Sequence, residues 1–468
     1  NIDSGSEDTL SQCYEREELL DFLLQSLQRF AGWLAALARL REERDASLAS
    51  LAFPPGQFRA GQREIAELVY KCIDQGGQLM VEAPTGIGKT AAVFYPALKA
   101  LATAKHDGVV FVTAKTVGRR AAQDTLAAFS AAGMSARSLA LTARERICFS
   151  PGKACHGEDC VFAAGYYDRL PQALDAALAV PGLHREELEG IAREYCVCPY
   201  QLAMDLLPWV DVVVADQHYV YGLTGSLGGQ LSQDERRWSV LLDEAHNLPE
   251  RAIGMYSATL AKADLMAARK SQAGPVLRAL DRLNRLLLGL QGEAWDERDY
   301  TAREELPTAL LDGLQNLVAA VGEQQVEQPA YLHRNPSLLD FYFSVLQFIR
   351  VAENWGDEYR FILSRGRGKQ SLALHLNCLD PSRLLTQRQQ RLHSVTAFSA
   401  TLSPIDWARR RLGLGDQAVY SRQPSPFDPG QLEVELATHI DTRYRARQAS
   451  LPELADLVRH WLGEVDGN

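Results

Sequence analysis

Apolar positions recur every three to four residues from 14 to 50. Leu20, Leu23, Leu24, Leu27, Phe30, Leu34, Leu37 and Leu40 fall on one side of a helical projection, which predicts an amphipathic helix or helix pair packed on the remainder of the chain. Residues 1–12, acidic and serine-rich, read as a linker ahead of it. From residue 51 the pattern changes to short apolar runs alternating with helical stretches. Gln78–Ala83 is a buried-strand run, a glycine turn follows at Gly86 and Gly88, and Thr90–Lys99 has helical character. Ser239–Asp243 is a second such strand. Strands alternating with helices predict an α/β fold with a parallel sheet. Over 261–370 this rhythm gives way to leucines at helical spacing (Leu277, Leu280, Leu283, Leu287, Leu290) and then to aromatic residues (Phe341, Tyr342, Phe343, Phe348), predicting an inserted helical domain.

The predicted organisation is therefore an N-terminal linker and helix over 1–50 and an α/β domain in three pieces, 51–145, 206–260 and 371–412. A cysteine-bearing insert occupies 146–205, the helical insert occupies 261–370, and a last region covers 413–468.

The glycine turn carries the first chemistry. Ala83-Pro-Thr-Gly-Ile-Gly-Lys-Thr90 joins a strand to a helix, the context a phosphate-binding loop requires. Glycines let backbone N–H groups approach phosphate oxygens, and the helix N-terminus adds positive potential. Lys89 is expected to reach the β- and γ-phosphates and the Thr90 hydroxyl to hold Mg²⁺, with Thr85, Gly86 and Gly88 forming the cradle. The general pattern has Gly where this chain has Ala83. The second site element is Asp243-Glu-Ala-His246 at the end of an apolar strand, the edge at which ligands bind an open α/β sheet. Asp243 is placed to bind Mg²⁺ and Glu244 to orient or deprotonate an attacking water. His246 has no hydrolytic role on these grounds, and coupling to a neighbouring domain is the expectation for it.

Five of the eight cysteines, 148, 155, 160, 196 and 198, fall between these two elements. Cys148-x6-Cys155-x4-Cys160-x37-Cys198 suits a four-thiolate site. Zinc and an iron–sulfur cluster both accept four cysteines, and unligated thiols are the bland alternative. The absence of paired C-x2-C knuckles and the Cys198-Pro199 step favour iron–sulfur, with Cys196 competing for the fourth place. Cys13, Cys72 and Cys378 stand apart and read as ordinary buried thiols.

Composition changes this picture little. In 468 residues, 46% are hydrophobic and 23% charged, within the range of globular proteins. No apolar run has the length of a membrane span, so a cytoplasmic location is the default. A net charge of −10 argues against a passive nucleic-acid coat but allows a narrow basic strip. Candidate strips are Arg119-Arg120, Arg144/Arg146, Arg409–Arg411 and Arg443/Arg445/Arg447, with Ser364–Lys369 as a basic exit from the helical insert. Phe149, Phe162, Tyr166 and Tyr167 are candidates for base stacking.

The ordered set of segments resembles the XPD/DinG family of iron–sulfur superfamily 2 DNA helicases. It comprises Arg59-Ala-Gly-Gln62, Ala83–Thr90, Val110–Lys115, the insert ending Cys198-Pro-Tyr200, Asp211–Tyr219, Asp243–His246 and Ser399-Ala-Thr-Leu-Ser-Pro404. The resemblance implies a RecA-like motor lobe carrying a cluster domain and a helical arch domain. It implies ATP and Mg²⁺ as ligands, a 4Fe–4S cluster on Cys148, Cys155, Cys160 and Cys198, and single-stranded DNA or a single-strand/duplex junction as partner. Gln62, with Arg59, matches the adenine-recognition element, and Ser399 and Thr401 the element linking ATP state to DNA grip. The expected activity is ATP-dependent 5′–3′ translocation in DNA repair, by a monomer.

The family's Gln-x-x-Gly-Arg-x-x-Arg helix, source of an arginine finger, does not occur here, and 413–468 reads as the start of a second lobe. A truncated chain with its second lobe largely absent is the expectation, with a nuclease-like domain or partner upstream. Two other readings remain: a fragment that binds ATP and single-stranded DNA without turnover, and a P-loop ATPase whose zinc-stabilised insert serves protein contacts.

Overall fold

Eight parallel strands share one sheet in the computed structural model, which describes residues 12–464 apart from 55, 234, 293–298, 329, 366–371, 426, 427, 429, 431–433 and 435. In chain order the strands are β1 (Gln78–Glu82), β2 (Gly108–Thr113), β3 (Ser138–Ala140), β4 (Gly182–Leu183), β5 (Val212–Asp216), β6 (Trp238–Asp243), β7 (Ala258–Ala261), β8 (Tyr300–Arg303), β9 (Tyr359–Arg365), β10 (Leu372–Cys378), β11 (Ser394–Ser399) and β12 (Val419–Arg422). The parallel sheet runs β12-β1-β11-β6-β2-β5-β3-β4. Its central strands are buried at every position because both faces are covered. Leu79, Val81, Val109, Phe111, Val212, Val214, Leu241 and Phe398 pack on one side against the helices Gln62–Gln75, Lys89–Ala102 and Thr116–Ala131. The alternate positions, among them Met80, Val110, Val112, Val213, Val240, Leu242 and Ala397, face a second core shared with the cysteine segment and the smaller sheet.

That smaller sheet runs β7-β10-β9-β8 and is antiparallel. It corrects the expectation of a wholly helical stretch after residue 261. The helices are there, at Lys262–Arg269, Gly274–Gly292, Thr308–Glu327 and Pro336–Ala352, but β8 and β9 lie among them. Residues 372–378, expected in the main sheet, pair with β9 and β7 instead. The physical signal is period two: Leu372, Leu374 and Leu376 alternate with Ala373, His375 and Asn377, so one face is buried and the other is half exposed.

Arg16–Ser50 forms one helix of 35 residues. Its C-terminal part is anchored, and midway along it the Trp33 ring meets Trp209 edge-on at 5.0 Å. Leu48 is fully buried, Arg44 Nη1 pairs with Asp211 Oδ1 at 2.8 Å, and Lys99 Nζ donates to the Leu48 and Ala49 carbonyls. Leu20, Leu23, Leu24, Leu27, Phe30 and Leu34, expected against the motor, are about half exposed. Helical spacing locates an apolar face but does not say what covers it.

The chain divides at Pro424 into two units, the second being Ser425–Asn468. Its helix Arg447–Glu464 exposes Leu451, Val458, Trp461 and Leu462. Residues 1–11 and most of the basic exit Ser364–Lys369 lie outside the described residues. No described helix is long and apolar enough to cross a membrane.

Candidate functional site

β1, β11 and β6 are neighbours, and their register aligns Glu82 with Ser399 and Phe398 with Asp243. The loop after β1, the Ser399-Ala-Thr401 turn after β11 and the acidic residues after β6 therefore emerge at one sheet edge. The loop needs its glycines: Gly86 and Gly88 have φ of 83° and 82°, a region open to glycine at no steric cost. A side chain at Gly88 would also meet Gln62 Nε2 at 2.5 Å. Ile87 is buried and pins the loop, while Thr85 and Gly86 stay exposed at its crest.

Lys89 begins the following helix and Thr90 is its second residue. Lys89 Nζ donates to the Ala83 and Pro84 carbonyls, 3.0 Å each. Burial lowers its pKa, while the charges of Glu244 and Asp243 pull it back up, which places all three groups in one electrostatic field.

Asp243 is 9% exposed. Thr113 Oγ1 donates to its Oδ2 at 3.2 Å, and Gln217 Nε2 to its backbone carbonyl at 3.2 Å. Burial first, and the neighbouring Glu244 charge second, hold its carboxyl above the ordinary range. Glu244 adopts a left-handed φ of 48°, a conformation that costs a non-glycine residue energy and is concentrated at functional sites. Its Oε2 lies 3.3 Å from His246 Nδ1, and that nitrogen lies 2.6 Å from Ser399 Oγ. Ser399 Oγ also accepts from the Thr401 N–H at 3.4 Å.

Gln62 is buried. Its Oε1 accepts from the Arg59 N–H at 2.8 Å and its Nε2 donates to the Gly88 carbonyl at 3.3 Å, while Arg59 Nη1 reaches the Gly86 carbonyl at 3.2 Å. Both side chains thus brace the loop from the side.

Cys148, Cys155, Cys160 and Cys198 line one cavity of about 290 Å³, together with Phe149, Phe162 and Tyr166. Cys196 does not line it, and its Sγ faces the Val161 carbonyl at 3.8 Å. Burial pushes the Cys198 thiol up, and Cys155 and Cys148 add to this, while the Gln201 and Tyr200 N–H groups act against it. Arg144 Nη2 donates to Cys155 Sγ at 3.0 Å. Among the described residues no three His, Cys, Asp or Glu side chains are close enough to hold a single metal ion. Of the outlying cysteines, Cys72 and Cys378 are buried and Cys13 is exposed.

Several candidate DNA contacts are used internally. Arg409 pairs with Asp406 and Asp416, Arg411 with Asp380, and Arg443 with Asp441. Tyr166 is buried and donates to Asp205, whereas Tyr167 is exposed. A cleft of about 730 Å³ lies between the cysteine segment and the helix Pro336–Ala352, lined by Arg144, Lys153, His156, His333 and Phe343. Thr113, Gln217 and Gly118, all close to Asp243, were not singled out by the sequence. Thr113 carried a weak signal, a hydroxyl closing an apolar strand.

Two family models match, DEAD/DEAH box helicase over residues 60–145 and DEAD_2 over 129–265. Among curated relatives, the general transcription and DNA repair factor IIH helicase subunit XPD of Arabidopsis thaliana is 23% identical over 55% of this chain and 40% of its own length. The ATP-dependent DNA helicase CHL1 of Candida glabrata is 23% identical over 47% of this chain and 29% of its own length. The chain thus spans less than half the length of either relative. A solved XPD helicase structure aligns over 78% of this chain and 62% of its own, at 17% identity and a TM-score of 0.49. Between them the two overlapping models contain the glycine loop, all five clustered cysteines and the acidic tetrad, and with these relatives they support an XPD/DinG-type superfamily 2 helicase.

Proposed function

We propose that this chain provides the nucleotide-binding lobe of an ATP-dependent DNA helicase that moves 5′ to 3′ on single-stranded DNA and serves DNA repair. The observation that carries the reading is the convergence of Lys89, Asp243, Glu244 and the Ser399–Thr401 turn on one sheet edge. Backbone N–H groups of Thr85–Lys89 take the β-phosphate, and Lys89 exchanges its two carbonyl partners for phosphate oxygens. Thr90 and Asp243 would hold Mg²⁺, which screens phosphate charge when bound. Glu244 orients the attacking water and accepts its proton. The Glu244–His246–Ser399 chain of contacts then reports the state of the γ-phosphate to the turn after β11.

The four thiols lining one cavity of about 290 Å³, together with the family resemblance, support a 4Fe–4S cluster as their occupant. The same geometry favours Cys198 over Cys196 as fourth ligand. A bound cluster would supply a covalent cross-link among the segments that carry these cysteines. Arg144 and Lys153 in the adjoining cleft suit phosphates, and the exposed ring of Phe343 suits a base, which supports a single strand as occupant. Direction of movement and the repair role rest on family resemblance. A second reading, binding of ATP and single-stranded DNA without turnover, is favoured by one feature: no Gln-x-x-Gly-Arg-x-x-Arg segment occurs in the sequence.

ATP turnover by this chain with and without single-stranded DNA, against Lys89→Ala as blank, tests both. DNA-stimulated turnover lost in the variant supports the first reading. DNA binding without turnover supports the second, and turnover unaffected by Lys89→Ala would overturn the site assignment.

A further inference from the structure

Glu82 precedes the glycine loop by one position and takes no part in the chemistry proposed above, yet it is the most heavily engaged carboxylate at this edge. Its side chain is 9% exposed. Oε2 accepts from the Leu402 N–H at 3.1 Å, the Ser403 hydroxyl at 3.3 Å and the Tyr420 hydroxyl at 3.3 Å. Oε1 lies 3.3 Å from Arg422 Nε. The backbone adds two connections: the Glu82 carbonyl accepts from the Gln423 N–H at 2.8 Å, and the Ala83 N–H donates to the Ser399 carbonyl at 2.9 Å. Three segments far apart in sequence thus meet at one side chain: the approach to the glycine loop, the exit from Ser399–Thr401, and β12.

Strand pairing does not require an acid here, since the ladders from β1 to β11 and β12 are backbone hydrogen bonds. Burying a carboxylate is costly unless every lone pair is used, and this one is satisfied by donors from two other segments. A group held that way transmits displacement, because moving it breaks several charge-assisted hydrogen bonds at once. The nearest displacement is at hand. Lys89 donates to the carbonyls of Ala83 and Pro84, the residues directly after Glu82, and a triphosphate would draw it away.

On the reading of Ala83–Thr90 as a phosphate loop, we propose that Glu82 is a positioning residue that ties the loop to the Leu402–Ser403 turn and to β12, so that occupation of the loop alters both. The test is hydrogen exchange of this chain with and without a fluorescent, slowly hydrolysed ATP analogue and Mg²⁺. In the parent the analogue is expected to slow exchange over 399–404 and 419–423. Glu82→Gln should bind the analogue within about threefold of the parent and lose about half or more of that slowing in both segments. Arg422→Gln removes only the Oε1 contact, and should lose it over 419–423 while keeping it over 399–404. This second variant also carries the test should Glu82→Gln fail to fold. The proposal is overturned if the analogue binds the parent but leaves both segments unchanged, or if the folded variants respond as the parent does. Binding that is absent, or insensitive to Lys89→Ala, would instead remove the phosphate-loop reading on which the coupling stands.

Discussion

Gly118 is the third residue of the helix Thr116–Ala131 and lies directly against the Asp243 carboxylate. A methyl group there would stand 2.3 Å from Thr113 Oγ1, 3.2 Å from Thr113 Cβ and 2.8 Å from Asp243 Oδ2. Ordinary contact is about 3.4 Å, so the Thr113 hydroxyl must retreat by about 1 Å, and Thr113 is a β-branched residue of a central strand with few rotamers to retreat into. Its hydroxyl donates to Asp243, and the two move together. Overpacking of this kind costs about 1–3 kcal/mol. Alanine in a helix returns about 1 kcal/mol, leaving a net penalty of about 0–2 kcal/mol and a loss of only a few degrees in Tm. Function should suffer far more, since a reacting or ligating group misplaced by about 1 Å loses roughly 100-fold in rate. Gly118→Ala is therefore expected to fold, and to lose about 10- to 100-fold in Mg²⁺-dependent nucleotide binding and in any DNA-stimulated turnover. Thr113→Ala in the same chain removes the closest clash and should recover part of that loss, a non-additivity that a double-mutant cycle measures. Unchanged Mg²⁺-dependent binding in Gly118→Ala at an unchanged Tm would refute the reasoning, because it would mean that Asp243 tolerates displacement and is not a metal-positioning group.

Asp243→Asn should melt higher than the parent at neutral pH without Mg²⁺. A carboxyl whose folded pKa is raised by burial contributes stability below its unfolded pKa and loses it as pH rises through the folded value, so the ionised form is penalised at pH 7. Melts from pH 5 to 8 check the sign, and the variant should also lose the stabilisation given by Mg²⁺-nucleotide; a lower Tm at neutral pH would contradict it. Cys198→Ser should lose most bound iron and the visible absorption band, whereas Cys196→Ser, whose sulfur lies off the cavity, should keep both; iron and sulfide analysis would show the reverse if the fourth ligand is Cys196. Ser399→Ala removes the 2.6 Å contact to His246 and should leave nucleotide affinity within about threefold while reducing DNA stimulation of turnover, so equal stimulation in the variant would rule out that route.

The elements that carry Lys89, Asp243 and Glu244 to one sheet edge were legible because they are local. A strand, a glycine turn and a helix are contiguous, and the acidic tetrad begins at the end of a largely apolar strand. The four cysteines of the cavity could be counted but not placed: only the structure shows that Cys148, Cys155, Cys160 and Cys198 line one cavity and that Cys196, with a left-handed φ of 54°, does not. Glu82, Thr113, Gln217 and Gly118 were illegible for the opposite reason. Thr113, Gln217 and Glu82 fall within segments the sequence marks (Val110–Lys115, Asp211–Tyr219 and Gln78–Ala83), but each acquires its role from residues 26 to 340 positions away, and Gly118 from a side chain it would strike. The antiparallel sheet was missed because β7 and β8 have four residues each beside strongly helical leucine patterns, and because the period-two alternation of β10 was read as part of the main sheet. The long N-terminal helix was predicted from its periodicity, but the same periodicity says nothing about its exposure.

The order of strands in the main sheet has a consequence for how the chain is made. β11 lies between β1 and β6, yet Leu402, just beyond it, is 320 residues from its partner Glu82. Closing a loop of that length costs about 3 kcal/mol more than closing one of ten residues, and at ribosomal speeds of roughly 5–20 residues per second β1 waits about 20–60 s for its neighbour. During that interval β1 and β6 have open edges, a template for association with other chains. The residues of the cysteine cavity span only 144–201 and are complete long before. Nascent chains should therefore assemble the cysteine segment first, and the glycine loop, although among the first parts to be synthesised, meets the Ser399–Thr401 turn only after β11 is inserted.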